Sequence, residues 1–469
     1  KTLMPGETER IQLSFDMKEI ASYDEKNERY ILEAGDYIVR VGNSSRNTMP
    51  VAIIQVDRTI TVKKVKNVLG KPDFEELRLV RNANEELCGV KKLHFDASQI
   101  QVEEINYTVS YEIDERVKNL SEEQLLMFNL GAFDRSKGVA SIIGNAGFTV
   151  AGAAGQSSLE AGQYGIKSMV MADGPAGLRI SKNYVKDKKG QVHTVDTSLP
   201  ESFLAFMPKP VLLFMKLINY KPKRGDVPGE QYATAIPIGT AIAQSFNEEF
   251  AEKCGDIVGF EMEKFGVHLW LAPALNLHRS IQCGRNFEYY SEDPLISGKF
   301  AAAITRGVQS HPHCGTTIKH FAFNNQERNR TQNNSIMSER TAREIYLKGF
   351  EICVKESQPK AIMTSYNLIN GIHTSEHPGL IEDILRREFG FEGIVMTDWV
   401  IAGYENEKNC IHPVATADLV AKAGGDLFMP GSKHDYNVLK NGLHNGTVTR
   451  KQLEINGSRV AKMADVLVK

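Results

Sequence analysis

The stretch Gly393-Ile394-Val395-Met396-Thr397-Asp398-Trp399 runs small and apolar residues into a lone carboxylate that is followed by an indole. A short apolar run of this kind reads as a strand buried on both faces. A carboxylate where such a strand ends has to face a cavity, because an unpaired buried charge is very costly. In parallel α/β proteins that end of the strand is where active sites are built. Asp398 therefore points to both an architecture and a reactive group.

Working outward, the same pattern recurs. Ser168–Ala172, His268–Ala272, Thr316–His320, Ala361–Ser365, Gly393–Thr397 and Asp426–Met429 read as strands. Helical spacing is found near Asn247–Phe265, Pro294–Ser310, Ser338–Glu356, Gly379–Phe389 and Pro413–Ala423. Strand and helix in alternation imply a parallel sheet covered by helices. Residues 114–469 are long enough for a TIM-like (β/α)8 barrel with insertions. The rival is an open, doubly wound sheet, which calls for a Gly-rich phosphate loop after its first strand. Neither G-x-G-x-x-G nor a Walker A sequence occurs. Ser181–Tyr232, with the apolar run Phe203–Leu217, reads as a long insertion: a lid, an oligomer contact or a simple helical excursion.

The N-terminal part is different. Residues 1–58 read as part of an all-β domain, with alternation over Glu9–Phe15 (Ile11, Leu13 and Phe15 on one face) and over Arg29–Val41, then an apolar strand at Pro50–Val56. These strands are too few for an independent sandwich. Residues 59–113 are charged and weakly periodic, and read as a connecting segment. Across the 469 residues, 42% are hydrophobic, 24% are charged and the formal net charge is −2. This is an ordinary globular composition, with no basic surplus to suggest nucleic acid or an anionic membrane as partner. No apolar run reaches membrane-spanning length. The six cysteines are scattered without a C-x-x-C, which disfavours a disulfide framework or a zinc site and leads to a cytoplasmic expectation. No signal peptide is visible, although a chain that starts at Lys1 leaves room for one.

The residues after the strands carry the chemistry. The first strand leads into Asp173-Gly174-Pro175, the second into Asn276-Leu277-His278-Arg279 and then Gly284-Arg285-Asn286-Phe287-Glu288. The third ends in Lys319-His320-Phe321 and continues to Asn325-Gln326-Glu327 and Arg330. The fourth gives Ser365-Tyr366-Asn367 and the fifth Asp398-Trp399. If the barrel closes, these groups converge on a cleft suited to a polar, uncharged, hydroxyl-rich ligand, with Trp399 as an apolar face for a sugar ring. Structural roles compete with this reading. Asp173 precedes Gly-Pro and fits a turn. Glu292-Asp293-Pro294 fits a helix start. Glu288 and Glu327 fit ion pairs with Arg285, Arg328 or Arg330. A Lys at the end of a buried strand, such as Lys319, needs a partner or a ligand. His311-Pro312-His313-Cys314 precedes a strand, at the end of a barrel away from the site, so it reads as a surface loop and no metal is expected.

These motifs, in this order over most of 114–469, closely resemble glycoside hydrolase family 3, especially its β-glucosidases. The resemblance rests on Asp173-Gly174-Pro175, Gly284-Arg285-Asn286-Phe287-Glu288 with Ser291-Glu292-Asp293-Pro294, Lys319-His320-Phe321 with Asn325-Gln326-Glu327, Ser365-Tyr366-Asn367 and Thr397-Asp398-Trp399. Residues 5–45, with Pro5-Gly6-Glu7 and Glu33-Ala34-Gly35-Asp36-Tyr37, resemble the latter half of the family's fibronectin type III-like module. The resemblance implies a TIM-like barrel, here preceded by part of a fibronectin type III-like domain, as in circularly permuted members. It implies a retaining, exo-acting β-glucosidase with Asp398 as nucleophile, and Asp173, Arg285, Lys319, His320 and Tyr366 around the sugar. Trp399 would border the leaving-group side. It implies no cofactor and, as substrate, a β-glucoside or cello-oligosaccharide.

In that family the acid/base Glu generally comes from an α/β sandwich domain, and no such domain fits within 1–469. The expectation is an acid/base supplied by a region or second polypeptide outside this chain. A homo-oligomer also remains open. Competing readings are another family 3 specificity (β-xylosidase or exo-glucanase), a barrel that binds sugar without turning it over, and a Schiff-base aldolase using Lys319. The last leaves Asp398-Trp399 and the Arg, His and Tyr residues unexplained.

Overall fold

A computed structural model of the chain describes residues 3–74, 87, 89–108, 110–133, 149–188, 190–195, 220–401 and 410–469. The chain divides into two units, Lys1–Asn67 with Asp73–Asn106, and Val68–Pro72 with Tyr107–Lys469.

The first unit is all β. Its strands are β1 (Ser22–Asp24), β2 (Arg29–Leu32), β3 (Gly35–Gly42), β4 (Thr48–Val56), β5 (Ile60–Lys64), β6 (Lys91–Phe95) and β7 (Glu103–Glu104). They form two sheets, in the orders β1-β2-β5-β7 and β3-β4-β6. β3 and β4 make an antiparallel hairpin, from Gly35 opposite Val56 to Gly42 opposite Thr48. Met17, Leu32, Val56, Val62, Ala97 and Ile100 make its core. Strands β5, β6 and β7 come from the stretch 59–113 that reads as a connector in the sequence, and they pair with β2, β4 and β5.

The expected strand at Glu9–Phe15 does not form: these residues join no sheet among the described residues, and Ile11, Leu13 and Phe15 are exposed. Alternation makes a strand only where a neighbour supplies the hydrogen-bond ladder, and this segment has none.

The second unit carries β8 (Gly155–Gln156), β9 (Val170–Ala172), β10 (Asn183–Lys186), β11 (Val192–Thr194), β12 (Val227–Glu230), β13 (Leu269–Trp270), β14 (Gly315–Phe321), β15 (Asn334–Ser335), β16 (Ala361–Thr364), β17 (Leu368–Ile369), β18 (Ile372–His373) and β19 (Ile394–Met396). Its main sheet has the order β19-β16-β14-β13-β9-β8. The pairs from β9 to β19 are all parallel. The central residues of these strands are buried throughout, as expected where helices cover both faces.

The sheet is TIM-barrel-like, but the regular (β/α)8 barrel expected from the sequence needs correcting. β8 runs antiparallel to β9. Its connection to β9 contains only the short 3-10 turn Gly162–Tyr164, and an antiparallel neighbour needs no crossover helix. Beyond β19, pairing among the described residues continues only through single bridges, Met396 to Leu427, Phe428 to Leu130 and Gly131 to Ser157. Leu427 and Phe428 lie in the expected strand Asp426–Met429, so that segment adds two bridged residues rather than a full strand.

The helices cover this sheet. Glu248–Phe265 starts under an Asn247 cap, whose side chain accepts from the Phe250 N–H at 3.1 Å, and stops at left-handed Gly266. Pro294–Gln309 is capped by Asp293, with Pro294 at its first position, so Glu292-Asp293-Pro294 is a helix start. These two helices pack through Gly255 and Gly307. A Cβ on Gly255 would lie 2.2 Å from the Ile304 carbonyl oxygen, and one on Gly307 2.0 Å from that of Glu252.

The expected helix Ser338–Glu356 is broken into a turn at Glu339–Thr341, a π-helical turn at Ala342–Tyr346 and an α-helix at Lys348–Ser357. Gly379–Glu388 is π-helical. From the insertion 181–232 come β10, β11 and β12, which form one antiparallel sheet; its apolar run Phe203–Leu217 lies outside the described residues. A small sheet of β15, β17 and β18 ties the loop after β14 to the loop after β16.

Candidate active site

Asp398 lies just past β19 and is buried, with 8% of its surface exposed. Its Oδ1 accepts from the Trp399 backbone N–H at 2.7 Å. Its Oδ2 has no hydrogen-bond partner among the described residues, and His320 Nε2 is 3.6 Å away. A buried carboxylate oxygen left unbonded is costly, and this one is free to accept a hydrogen bond or to act as a nucleophile. Burial pushes the Asp398 carboxyl above its ordinary value. Arg285, Lys319, the Trp399 N–H and Arg330 pull against burial without cancelling it.

Asp173 follows β9 and Lys319 lies in β14. Parallel pairing through β13 brings these distant segments together, and Lys319 Nζ donates to Asp173 Oδ1 at 2.7 Å. Arg179 pairs with the other oxygen, Oδ2. Burial works against ionisation of Asp173, but the two cations outweigh it and hold the carboxyl below its usual range. Lys319 thus has its partner in Asp173. Trp270, fully buried in β13, donates from its indole to the Gly174 carbonyl at 2.9 Å and braces the Asp173 turn.

His320 is buried beside Asp398. Asn276 grips its backbone from both sides: its Oδ1 accepts from the His320 N–H (2.8 Å) and its Nδ2 donates to the His320 carbonyl (2.9 Å). Burial, reinforced by Arg285, Lys319 and Arg330, holds the imidazole well below its usual value. His320 therefore meets Asp398 as a neutral ring at physiological pH. Nearby, Tyr289 is fully buried and receives the Asn324 amide on its hydroxyl at 3.0 Å.

Arg285 pairs with buried Glu288, three residues on. Arg330 pairs with Glu327 at 2.9 Å and lies over the Tyr366 ring, 4.2 Å from its centroid. The Tyr366 hydroxyl donates to the Trp399 carbonyl at 2.8 Å, and the Trp399 indole donates to the Ala154 carbonyl at 3.1 Å.

The sequence candidates Asp173, Arg285, Lys319, His320, Tyr366, Asp398 and Trp399 thus fall on one chain of pairings and charge interactions at the ends of β9, β14, β16 and β19 and on the loop after β13. From sequence Arg330 reads only as an ion-pair partner for Glu288 or Glu327. Its reach to Tyr366 and its charge on Asp398 come from the folding of the loop after β14. A third cation in the Lys319–Arg330 stretch was the only available signal. Among the described residues, no group of three or more His, Cys, Asp or Glu is placed to hold a metal ion, and no helix is long and apolar enough to cross a membrane.

The family model for the glycosyl hydrolase family 3 N terminal domain matches residues 207–463. The chain belongs to glycosyl hydrolase family 3. All the sequence candidates except Asp173 fall inside the matched range. A fibronectin type III-like domain model matches residues 1–45. Among relatives of this family 3 chain, beta-glucosidase A of Butyrivibrio fibrisolvens is 32% identical over 451 residues, covering 87% of the chain and 48% of the relative. A beta-glucosidase from Paenibacillus barengoltzii has a similar structure (TM-score 0.70, 28% identity), with 96% of this chain and 47% of that one covered. Beta-glucosidase 3B from Thermotoga neapolitana in complex with glucose gives a TM-score of 0.59 at 34% identity, covering 76% and 42%. The chain spans about half the length of the curated relatives it matches.

Proposed function

We propose that this chain carries the sugar-binding and nucleophilic half of a retaining, exo-acting β-glucosidase. The observation that carries the proposal is the unbonded, buried Oδ2 of Asp398 in the field of Arg285, Lys319 and Arg330. In the first step an Asp398 oxygen attacks the anomeric carbon and the bond to the leaving oxygen breaks, with a proton delivered to that oxygen by an acid. In the second, water attacks the glycosyl–Asp398 ester, gives its proton to the same group and releases glucose. The ion-paired Asp173 and Lys319, with Arg285 and His320, present acceptors and donors for sugar hydroxyls. Tyr366 and Trp399 supply apolar surface.

Every other carboxylate named in this cluster is already in an ion pair: Asp173 with Lys319 and Arg179, Glu288 with Arg285, and Glu327 with Arg330. This supports an acid/base Glu supplied from a region or second polypeptide outside this chain. The aldolase reading is disfavoured, because Lys319 Nζ is engaged with Asp173 Oδ1 at 2.7 Å and a Schiff base leaves Asp398, Arg285 and His320 without a role.

The test is release of 4-nitrophenol from 4-nitrophenyl β-D-glucoside, whose leaving group departs without a proton donor, by the protein and its Asp398→Asn variant. The substitution is expected to lower kcat by about 10⁴-fold or more. A 2-deoxy-2-fluoro-glucosyl fluoride should leave a covalent adduct on the Asp398 peptide by mass spectrometry. Activity that survives in the variant, or an adduct elsewhere, sinks the assignment.

A further inference from the structure

Asn276 fixes the His320 backbone from both sides, but an imidazole keeps a further freedom: either of its nitrogens can carry the proton. Burial, with Arg285, Lys319 and Arg330 nearby, keeps the ring neutral, so one nitrogen donates and the other accepts.

The two nitrogens have different neighbours. Nε2 is 3.6 Å from Oδ2 of Asp398, and an ionised carboxylate can only accept. Nδ1 is 3.4 Å from the Tyr289 hydroxyl, the one hydrogen-bonding group beside it among the described residues. The two rings meet edge to face, with centroids 6.3 Å apart and planes at 70°. A hydroxyl donates or accepts, so it suits either tautomer; the carboxylate suits only one. Asp398 therefore favours the proton on Nε2, which leaves Nδ1 as an acceptor.

That arrangement decides the Tyr289 proton in turn. A buried ring nitrogen with an unbonded lone pair is costly, and Tyr289 is the donor beside it. Tyr289 is fully buried, and burial pushes its hydroxyl above its ordinary value, so the proton stays on. The Asn324 amide donates to the phenol oxygen at 3.0 Å and to Glu327 Oε1 at 3.0 Å. The hydroxyl proton is then left two acceptors, the Asn324 carbonyl at 3.3 Å and His320 Nδ1 at 3.4 Å. The imidazole nitrogen is the more basic of the two. Both distances are long, as is common in sites that tighten only around a ligand.

We propose that Tyr289 is a positioning residue whose hydroxyl donates to His320 Nδ1 and so holds Nε2–H beside Asp398 Oδ2, as a hydrogen-bond donor to a sugar hydroxyl. The relay runs from the Asn324 amide to the Tyr289 oxygen, from the Tyr289 O–H to His320 Nδ1, and from His320 Nε2–H into the site. Tyr289 itself touches no substrate. The inference rests on the proposed function, because it takes the group met by His320 to be a hydroxyl of a sugar bound at Asp398.

The experiment records long-range proton–nitrogen NMR spectra of ligand-free protein labelled with nitrogen-15 histidine, together with calorimetric titration by D-glucose. The His320 signals are assigned by their loss in His320→Gln. In the unaltered protein His320 should show a protonated Nε2 and an unprotonated, hydrogen-bonded Nδ1. Tyr289→Phe keeps the ring and should move the Nδ1 signal to that of an unbonded nitrogen. It should also weaken glucose about 2- to 10-fold, the scale of one neutral hydrogen bond. A proton found on Nδ1 in the unaltered protein overturns the inference, and that measurement decides even if Tyr289→Phe fails to fold. An Nδ1 signal unmoved by Tyr289→Phe, or an unchanged glucose affinity, overturns it as well. Absence of glucose binding by the unaltered protein, with Nδ1 hydrogen-bonded as expected, overturns the sugar reading and the donor role with it; the ring signals separate that outcome from failure of the relay alone.

Discussion

At Asp398 burial and charge pull in opposite directions, and burial prevails. A carboxyl whose value is raised by folding is stabilising below its unfolded value, near 3.8, and loses that contribution as pH rises. The ionised form at neutral pH is therefore held at a cost to stability, the reverse of an ordinary ion-paired aspartate. Asp398→Asn is expected to melt at or above the temperature of the unaltered protein at pH 7, with the advantage shrinking as pH falls toward 4. Thermal denaturation across that range checks it, and a variant less stable at pH 7 than at pH 4, relative to the unaltered protein, contradicts it. At this scale much was legible, because Asp173, Lys319 and Asp398 each lie in or directly after a stretch that reads as a buried strand. A charge at the end of a buried strand must have a partner, whatever the rest of the fold. Arg330 was not legible as a neighbour of Tyr366 and Asp398, since its direction depends on how the loop after β14 turns, and no local rule sets that.

Elements were legible where local chemistry and burial agreed. Asn247 and Asp293 cap the helices they announce, and the apolar runs ending at Ala172, Thr364 and Met396 are strands. They were not legible where the partner was distant. Glu9–Phe15 alternates but has no ladder to join. Ser338–Glu356 has helical apolar spacing, yet contains a π-turn at Ala342–Tyr346; apolar spacing does not distinguish the two hydrogen-bond patterns. Arg343, inside that turn, is buried in ion pairs with Glu339 and Glu388, a tertiary arrangement. The packing of Glu248–Phe265 on Pro294–Gln309 offers a test. In an isolated helix Gly→Ala is favourable by roughly 1 kcal/mol. At Gly307 the new methyl would meet the Glu252 backbone oxygen 2.0 Å away, an atom that cannot rotate aside. Gly307→Ala is expected to destabilise by about 1–3 kcal/mol, measured by urea denaturation. A gain in stability would show that the helices are free to separate there.

Across the barrel unit, the strand that carries Asp398 is secured by a buried charge cluster. Asp426, fully buried, accepts from the Val395 N–H at 2.7 Å and from Arg386 at 2.6 Å, and Arg459 donates to its other oxygen at 3.1 Å. Arg386 also donates to the Gly393 carbonyl at 3.0 Å, and Arg459 pairs with Glu382 at 2.9 Å. One carboxylate thus ties β19, the Gly379–Glu388 helix and the C-terminal helix Arg450–Leu467 together. Asp426→Asn keeps the shape but leaves Arg386 and Arg459 to share Glu382 as their remaining carboxylate, and is expected to cost about 1.5–3 kcal/mol in denaturant unfolding, the scale of hydrogen bonds to charged groups. A loss below about 1 kcal/mol, the scale of an exposed pair, would mean that the cluster is dispensable. By itself the sequence determined the parallel α/β character of 114–469, most of its buried strands and capped helices, and the charged groups at the strand ends. These follow from local spacing and from the cost of burying charge. Only the tertiary structure decided that β8 runs antiparallel, that Asp173 pairs with Lys319 and Glu288 with Arg285, and that Asn276 and Tyr289 meet His320. Each of those depends on which distant segment arrives beside which, and no local preference encodes that.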